Sequence, residues 1–240
     1  MSTYELRSAG VTDTGNVRPT NQDHLLTEGD LVAVADGMGG HRGGEVASRL
    51  AVDTMKEAFG DDPTAAGLAE AVRRANTAVW EQAQAQPELA GMGTTIAAVA
   101  RVREEGSERL AIVNVGDSRA YLFKEGRLSR LTSDHSLVAD LVRSGELTEE
   151  GAREHPHRNI LTRAVGVGPE VEPAVAVAEP ASGDRLLLCS DGLFNELADD
   201  EITSVLSTVA EPESAADRLV RLAKEHGGND NITVVVVDVA

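Results

Sequence analysis

The stretch LVAVADGMGG, residues 31–40, ends an apolar run with a carboxylate and follows it at once with glycine. An apolar run of this length predicts a buried β-strand, and the glycine lets the backbone turn tightly beside a ligand. RLLLCSDG (185–192) has the same arrangement, AIVNVGDSRA (111–120) places a different tight-turn residue after its aspartate, and GGNDNITVVVV (227–237) places its aspartate before the apolar run. The carboxylates predicted to meet at one rim of the fold are Asp36, Asp117, Asp191 and Asp230.

A group of carboxylates at one rim implies a cation among them, because the charges would otherwise repel one another strongly. Hard divalent ions such as Mg²⁺ and Mn²⁺ prefer oxygen ligands of this kind. The sequence therefore predicts a site for more than one divalent metal ion.

The composition indicates which class of protein the chain belongs to. The chain has 240 residues, 41% of them hydrophobic and 26% charged, which is typical of a globular protein. Aromatic residues make up only 2%, so the core must be built from Ala, Val, Leu and Ile. No repeat, linker or clear boundary interrupts the sequence, and we expect a single domain over residues 1–240.

The formal net charge of −18 argues against a nucleic-acid partner and against binding to anionic membranes. A single cysteine excludes an internal disulfide. The N-terminal MSTYELRSAG has no apolar signal-peptide core, and no run approaches the roughly 20 apolar residues of a membrane span. These features predict a complete cytoplasmic protein.

Hydrophobic periodicity predicts a mixed order of strands and helices. The predicted strands cover residues 4–10, 24–35, 94–102, 110–115, 120–124, 127–131, 173–178, 185–190 and 233–239. The predicted helices cover residues 44–59, 63–86, 199–209 and 213–226. Strict βαβα alternation is missing, which favours an α+β sandwich with helices outside paired sheets. The polar segment 136–158 is predicted to be an insertion outside the core.

Several other chemistries are excluded by the residues present. Cys189 lies in an apolar strand, and position 195 is Asn where a thiol phosphatase needs Arg. Ser118 in GDSRA lacks the second glycine of a nucleophile elbow. The glycine-rich GMGGHRGG has no following Lys-Ser/Thr, and Arg42 stands where a dinucleotide fingerprint needs its third glycine.

Taken together, the motifs resemble those of the PPM or PP2C family, the metal-dependent serine/threonine protein phosphatases, in its compact bacterial form. The matching segments follow the family's order over nearly the whole chain: GNVRPTNQDHL (15–25), VAVADGMGGHRGGEVAS (32–48), GMGTTIAAV (91–99), VNVGDSRAYL (113–122), LTSDHSLV (131–138), LTRAVG (161–166), LLLCSDGLF (186–194) and GGNDNITVVVV (227–237).

The resemblance implies a four-layer αββα sandwich, in which two antiparallel sheets are flanked by helix pairs, with a binuclear Mn²⁺ or Mg²⁺ centre at one end. It implies that Asp36 bridges both metals, that the Gly37 carbonyl binds one of them, and that Asp191 and Asp230 hold the other. It places Asp23 behind metal-bound water. Asp117 corresponds to the ligand that, together with Asp191, holds a third, weaker metal in bacterial relatives.

Three further features complete the expected site. Arg18 occupies the position of the family's phosphate-binding arginine, and a guanidinium suits bidentate phosphate recognition. The animal enzymes carry a histidine directly after the metal-binding Asp-Gly pair, whereas this chain has Met38 there. His41, three residues on, either serves as the general acid or substrate-orienting group, or only makes local hydrogen bonds. Thr94 and Thr95 are expected to pack their hydroxyls near the site.

The segment at about 136–160 matches the family's flap, a segment that shapes substrate access. His155 and His157 lie in it and are candidate substrate contacts. Asn159 stands where some bacterial relatives have a serine near the third metal, which puts the affinity of that third site in question. His24, His135 and His226 are expected to be structural or exposed.

The function that the resemblance implies is hydrolysis of phosphoserine and phosphothreonine in proteins by a metal-activated water, in opposition to bacterial Ser/Thr kinases. Phosphorylated proteins, including such a kinase and its substrates, would be the partners of a monomeric enzyme. Two alternatives stay open: a regulator phosphatase with one dedicated substrate, and an inactive module that only binds phosphoproteins. Retention of Asp23, Asp36, Asp117, Asp191 and Asp230 speaks against the inactive module.

Overall fold

The computed structural model describes residues 4–40 and 42–240 of the chain. Its strands are β1 (Leu6–Asp13), β2 (Asp23–Glu28), β3 (Leu31–Met38), β4 (Gly93–Thr94), β5 (Ile96–Glu104), β6 (Ser107–Val115), β7 (Arg119–Lys124), β8 (Arg127–Arg130), β9 (Ala174–Ala178), β10 (Arg185–Cys189) and β11 (Ile232–Val239). Its α-helices are α1 (Gly43–Asp61), α2 (Ala65–Ala85), α3 (Leu137–Ser144), α4 (Glu149–Glu154), α5 (Asp191–Phe194), α6 (Asp199–Thr208) and α7 (Pro212–His226).

The strands form two antiparallel sheets. One sheet has the order β1-β11-β10-β7-β8, and the other has the order β2-β3-β5-β6-β9 with β4 added to the end of β3. The last strand, β11, lies beside the first strand, β1, over the full length of both. The five-stranded sheet is therefore complete only when the two ends of the described chain are together.

Alternating side chains give each sheet two buried faces. In β11, Val234 and Val236 join a cluster with α6 and α7, whereas Val235 and Val237 join the cluster between the sheets. This alternation follows from the two-residue period of a strand. As predicted from composition, the cluster between the sheets is aliphatic, apart from Tyr4: Tyr4, Val32, Val34, Val99, Leu110, Ile112, Ala120, Leu186, Leu188, Val235, Val237 and Val239.

Helix pairs cover the outer faces of both sheets. The α1–α2 pair buries an alanine- and valine-rich stripe on the six-stranded sheet, and the α6–α7 pair covers the five-stranded sheet. Local sequence starts the helices: the Thr64 hydroxyl accepts a hydrogen bond from the Gly67 amide at 2.9 Å, and Pro212 opens α7. The expected four-layer sandwich of two antiparallel sheets flanked by helix pairs is confirmed.

The structure differs from the sequence-based expectation in three places. Residues 24–35 form two strands, because Gly29 with φ of +62° turns the chain between β2 and β3. The strand that carries Asp36 does not end there, since it runs on to Met38 by pairing with β4. The short elements β4 and α5 were not predicted, because two to four residues are too few to show a period.

Residues 136–160 form an excursion of two short helices, α3 and α4. The Ser136 hydroxyl caps α3 and the Thr148 hydroxyl caps α4, at 3.4 and 3.1 Å from the amides of Ala139 and Gly151. An isolated bridge between Ser136 and Leu161 closes the base of the excursion. Of the helices in residues 4–40 and 42–240, none combines the length and apolar composition needed to cross a bilayer.

Arg185 ties the end of α6 to β11. Its guanidinium donates to the Asp238 carboxylate at 2.6 and 2.9 Å. It also donates to the Leu206 and Val209 carbonyls at 3.1 and 2.7 Å and to the Ala210 carbonyl. These carbonyls lie at and just beyond the end of α6, where backbone acceptors lack intrahelical partners.

We expect Arg185→Leu to lower the free energy of unfolding by about 3 kcal/mol, because it leaves the Asp238 charge and several carbonyls without their donor. Urea denaturation measures this loss. The matched control is Arg218→Leu, since Arg218 is exposed and makes only a 3.5 Å ion pair with Glu225; its effect should stay below about 0.5 kcal/mol. Equal losses in the two variants would contradict the anchoring role of Arg185.

Candidate active site

A cavity of about 710 Å³ gathers most of the residues predicted to form the site. Its lining includes Arg18, Asp36, Gly37, Asp117, Asp191 and Asp230. Asp23 is buried, and the charges of Asp191 and Asp230 in the cavity wall act on it. His41 lies outside the described residues. The structure therefore brings together carboxylates that are up to roughly two hundred positions apart in the sequence.

Two threonine hydroxyls bind the backbone of Asp36, one at its amide and one at its carbonyl. Its amide donates to the Thr95 hydroxyl at 2.9 Å, and its carbonyl accepts from the Thr94 hydroxyl at 2.9 Å. The predicted packing of these two hydroxyls beside the site is confirmed. At Gly37 a Cβ atom would lie 2.1 Å from the Gly44 carbonyl oxygen, so only glycine lets α1 start this close to β3.

Asp191 is the first residue of α5 and follows β10 after a single residue, Ser190. Its Oδ2 accepts a hydrogen bond from the side-chain amide (Nδ2) of Asn195 at 3.1 Å, whereas its buried Oδ1 receives no hydrogen bond from the described residues. A Cβ at Gly192 would lie 2.0 Å from the Asn231 carbonyl oxygen. Glycine at this position thus allows the Asp191 turn to approach the Asp230–Asn231 turn.

Asn231 joins the chain segments that surround the cavity. Its amide group donates to the carbonyls of Thr14 and Thr20 at 3.0 and 2.9 Å. Its Oδ1 accepts from the Gln22 amide at 2.8 Å. The segment that carries Arg18 and Asp23 is thereby fixed to the turn that carries Asp230. Sequence reasoning did not single out Asn231, because its partners lie at the other end of the chain.

Asp23 is buried between the two sheets at the site. Its Oδ2 accepts from the hydroxyls of Ser190 and Thr233 at 2.8 and 2.7 Å, but its Oδ1 has no partner among the described residues. Withdrawal from water raises the pKa of Asp23 to about 7, although these hydroxyls oppose the rise and Asp191 adds to it. A buried carboxylate with an unsatisfied oxygen is costly unless a cation or proton compensates it.

The pKa values of Asp36, Asp117 and Asp191 are shifted in the same direction. Withdrawal from water, followed by Asp23 and Asp191, raises the pKa of Asp36 well above its usual value. Desolvation first and the Asp191 charge second raise the pKa of Asp117 to about 7. The pKa of Asp191 rises to about 6, chiefly by desolvation and then by Asp230, while the Arg18 charge and the Asn195 hydrogen bond oppose the rise. The cavity wall therefore favours any bound positive charge.

Arg18 and Asp230 form an ion pair of 2.7 Å at the cavity edge. This hydrogen bond raises the pKa of Arg18, and the other Asp230 oxygen accepts from the Asn231 amide at 2.8 Å. Both oxygens of Asp230 are thus occupied. Within residues 4–40 and 42–240, no three His, Cys, Asp or Glu side chains form a group that could hold a metal ion. The aspartates share a cavity, but Asp230 is engaged by Arg18.

The loop of residues 161–168 contributes to the wall of the same cavity, and Asn76 of α2 holds it. Asn76 is 1% exposed; its Oδ1 accepts from the Gly166 amide at 2.8 Å and its Nδ2 donates to the Gly168 carbonyl at 3.0 Å. Thr94 and Val165 exchange backbone hydrogen bonds of 3.0 and 2.8 Å beside it. Sequence reasoning placed Asn76 on a helix without a role, since only the fold brings α2 beneath this loop.

The flap histidines do not line the cavity. His155 and His157 contact each other with ring centroids 5.7 Å apart, whereas Asn159 does line it. His135 accepts the Gly116 amide at Nδ1 over 3.1 Å, and burial followed by the Arg163 and Arg143 charges lowers its pKa to about 4. The structural role predicted for His135 is thereby supported, because the neutral ring anchors the turn before Asp117.

Comparisons with known proteins agree with this architecture. A sequence model of the family described as "Protein phosphatase 2C" matches residues 18–226. The serine/threonine protein phosphatase PstP of Mycobacterium tuberculosis is 43% identical over 240 residues, which is 99% of this chain and 46% of that protein. The serine/threonine phosphatase stp of Listeria welshimeri is 38% identical, over 95% of this chain and 93% of that protein.

Solved structures show the same fold. The catalytic domain of PstP in complex with two manganese ions superposes with a TM-score of 0.90 at 41% identity, covering 99% of this chain and 100% of that one. The Streptococcus agalactiae serine/threonine phosphatase gives a TM-score of 0.88 at 36% identity, covering 98% of this chain and 100% of that one. The chain belongs to the protein phosphatase 2C family. It spans about half the length of the M. tuberculosis relative.

We expect Asn76→Ala to lower the free energy of unfolding by about 2 kcal/mol, because the buried Gly166 amide loses its acceptor. The amides of residues 165–168 should also exchange with solvent faster, since the loop loses its anchor. Urea denaturation and hydrogen exchange measure the two effects. Thr77→Ala on the same helix is the control, because Thr77 is exposed and bonds only to the Arg73 carbonyl. Unchanged exchange in Asn76→Ala would show that Asn76 does not hold the loop.

Proposed function

We propose that the chain is a protein serine/threonine phosphatase that uses divalent metal ions to hydrolyse phosphoserine and phosphothreonine. The observation that carries this proposal is the group of carboxyl groups with raised pKa values around one cavity, with Arg18 at its edge. The family membership of the chain and the activity named for its relatives support the same reaction class.

The residues present suit a pair of Mn²⁺ or Mg²⁺ ions. Asp36 would bridge the two, with the Gly37 carbonyl on one and Asp191 and Asp230 on the other. Asp23 would bind the water around the ions. Asp23 Oδ1 and Asp191 Oδ1 are buried and accept no hydrogen bond from the described residues, so a bound cation would compensate their charge. The proposal requires Asp230 to exchange Arg18 for the cation.

A third, weaker metal site is part of the proposal and would use Asp117 with Asp191. The pKa of Asp117 is raised next to Asp191, which supports a cation between the two. Asn159 lines the same cavity and offers an amide oxygen in place of the serine found in some relatives.

The bound ions would supply an activated water as nucleophile and offset the charge on the phosphoryl oxygens. The chain's own part is to bind and orient the phosphate. Released from Asp230, the Arg18 guanidinium offers paired donors that match two phosphate oxygens. The loop that Asn76 holds supplies part of the cavity wall, so its position would affect how the phosphate is bound.

The described side chains argue against a protein nucleophile. Cys189 is fully buried, and burial raises the pKa of its thiol, which keeps it protonated. The Ser118 hydroxyl is also buried and shares a 2.6 Å hydrogen bond with the Thr95 hydroxyl. Attack by water therefore fits the site better than a covalent enzyme intermediate. We propose His41 as the general acid or as a substrate-orienting group; it stays a prediction.

Phosphorylated proteins are the proposed partners, among them a Ser/Thr kinase and its substrates. We also propose a cytoplasmic monomer built as a single domain, in which residues 136–160 act as a flap over the cavity. Cell fractionation, sedimentation and comparison of phosphoproteomes with and without the gene test these statements.

We expect Asp191→Asn to weaken Mn²⁺ binding by about 100-fold or more, because it removes one of the charges that the ion needs. Calorimetric titration with Mn²⁺ measures this, and hydrolysis of a phosphothreonine peptide should fall at least as much. Asp199→Asn is a matched control, since Asp199 is exposed at the start of α6. Unaltered Mn²⁺ binding by Asp191→Asn would show that the metal site is assigned wrongly.

We expect Arg18→Ala to raise KM for the phosphothreonine peptide about tenfold at saturating Mn²⁺, because the phosphate loses its charged donors. Steady-state kinetics measure KM, and Arg7→Ala on the exposed surface of β1 is the control. If Arg18 served only to neutralise Asp230, the variant would change the Mn²⁺ affinity and leave KM as it was.

A further inference from the structure

Three exposed branched apolar residues line the cavity or are next in sequence to residues that line it. Val17, Ile160 and Val167 are 64%, 45% and 52% exposed. Val167 lines the cavity itself, and the other two are bonded in sequence to the lining residues Arg18 and Asn159. We call these three side chains the apolar rim. Since large apolar side chains in water carry a free-energy cost, a group of them beside a polar cavity marks a contact surface.

The backbone beneath the first two rim residues is fixed. Val17 follows Asn16, whose amide donates to the Gly228 carbonyl at 2.8 Å. The Ile160 carbonyl accepts from the Leu137 amide at 2.8 Å, at the base of the flap. Because Val and Ile are branched at Cβ, they also have few side-chain rotamers. Contact with a partner therefore costs little further conformational entropy.

Val167 is held equally firmly. It lies between Gly166 and Gly168, the two residues to which the Asn76 side chain is hydrogen-bonded. At Gly93 a Cβ atom would lie 2.8 Å from Val167 Cγ1, so the valine side chain rests against the backbone of that glycine. Half of the side chain stays in solvent although the residue is immobilised on its inner side.

When a phosphorylated side chain enters the cavity, the residues that flank it in the substrate lie against the apolar rim. The rim residues come from separate segments of the chain, the turn before Arg18, the end of the flap and the loop after Arg163. Adjacent residues of an extended peptide are about 3.5 Å apart, so the rim is within reach of the first residues on each side of the phosphorylated one. A small phosphate ester has no atoms that reach it.

Charge favours the same kind of substrate. The chain carries a formal net charge of −18, which repels acidic peptides at long range. The rim side chains themselves bear no charge, so they offer nothing to pair with an acidic flanking residue. When apolar flanking residues contact the rim, the apolar surfaces of the substrate and of the rim are both removed from water, which is favourable.

We propose that the apolar rim selects phosphoproteins in which apolar residues directly flank the phosphoserine or phosphothreonine. The inference rests on the proposed function and names the substrate class for that site. Val17, Ile160 and Val167 are specificity-determining residues in this proposal and take no part in the chemical step.

The test uses two phosphothreonine peptides that differ only in the residues flanking the phosphothreonine, leucine in one and serine in the other. With Mn²⁺ and the unaltered chain, we expect kcat/KM for the leucine peptide to exceed that for the serine peptide about tenfold. The triple variant Val17→Ser, Ile160→Ser and Val167→Ser should reduce this ratio to about twofold or less. Because both peptides share one chemical step, the ratio cancels any change in that step.

The matched control is the double variant Val175→Ser and Val177→Ser on β9, whose valines are also exposed, at 39% and 49%, but do not line the cavity. It should keep the tenfold preference. Equal cleavage of the two peptides by the unaltered chain would overturn the rim inference and leave the proposed function standing. Loss of the preference in the β9 variant would also overturn it. Failure to cleave either peptide, or p-nitrophenyl phosphate, would instead count against the proposed function itself.

Discussion

The close placement of carboxyl groups around one cavity is the constraint on which the rest of the site depends. Asp36 and Asp191 line one cavity, and Asp23 is buried with one oxygen that no described residue satisfies. Asp191 raises the pKa of both Asp23 and Asp36, and Asp23 also raises that of Asp36. Folding therefore brings together charges that oppose the fold, and the surrounding sandwich must supply the free energy that holds them.

The scaffold meets this demand with rigid, specific connections. Gly37 and Gly192 allow backbones to approach where any side chain would collide with a carbonyl oxygen. Asn231 binds the N-terminal segment to the turn of Asp230, and Asn76 fixes the loop of residues 161–168. The three hydrophobic clusters that stabilise the layers thus support the carboxyl groups of the cavity.

Much of the architecture could be predicted from the sequence, because its signals are local. The continuous apolar run of β11 and the helical period of α2 are visible in a short window, and the aspartates stand directly after or before apolar runs. The contacts of Asn76 and Asn231 could not be predicted, since each depends on partners about 90 and 210 residues away. The Arg18–Asp230 pair is also invisible in the sequence, and it explains why the aspartates share a cavity without forming a ready ligand group.

The order of the strands has a consequence for synthesis of the chain. Among the described strands β11 is translated last, yet it lies between β1 and β10, and the turn before it carries Asp230 and Asn231. While the ribosome is still making the preceding helix, the five-stranded sheet has an open gap in its middle and the cleft lacks one wall. The cavity wall that carries Asp230 is consequently incomplete until β11 has left the ribosome and paired with β1 and β10.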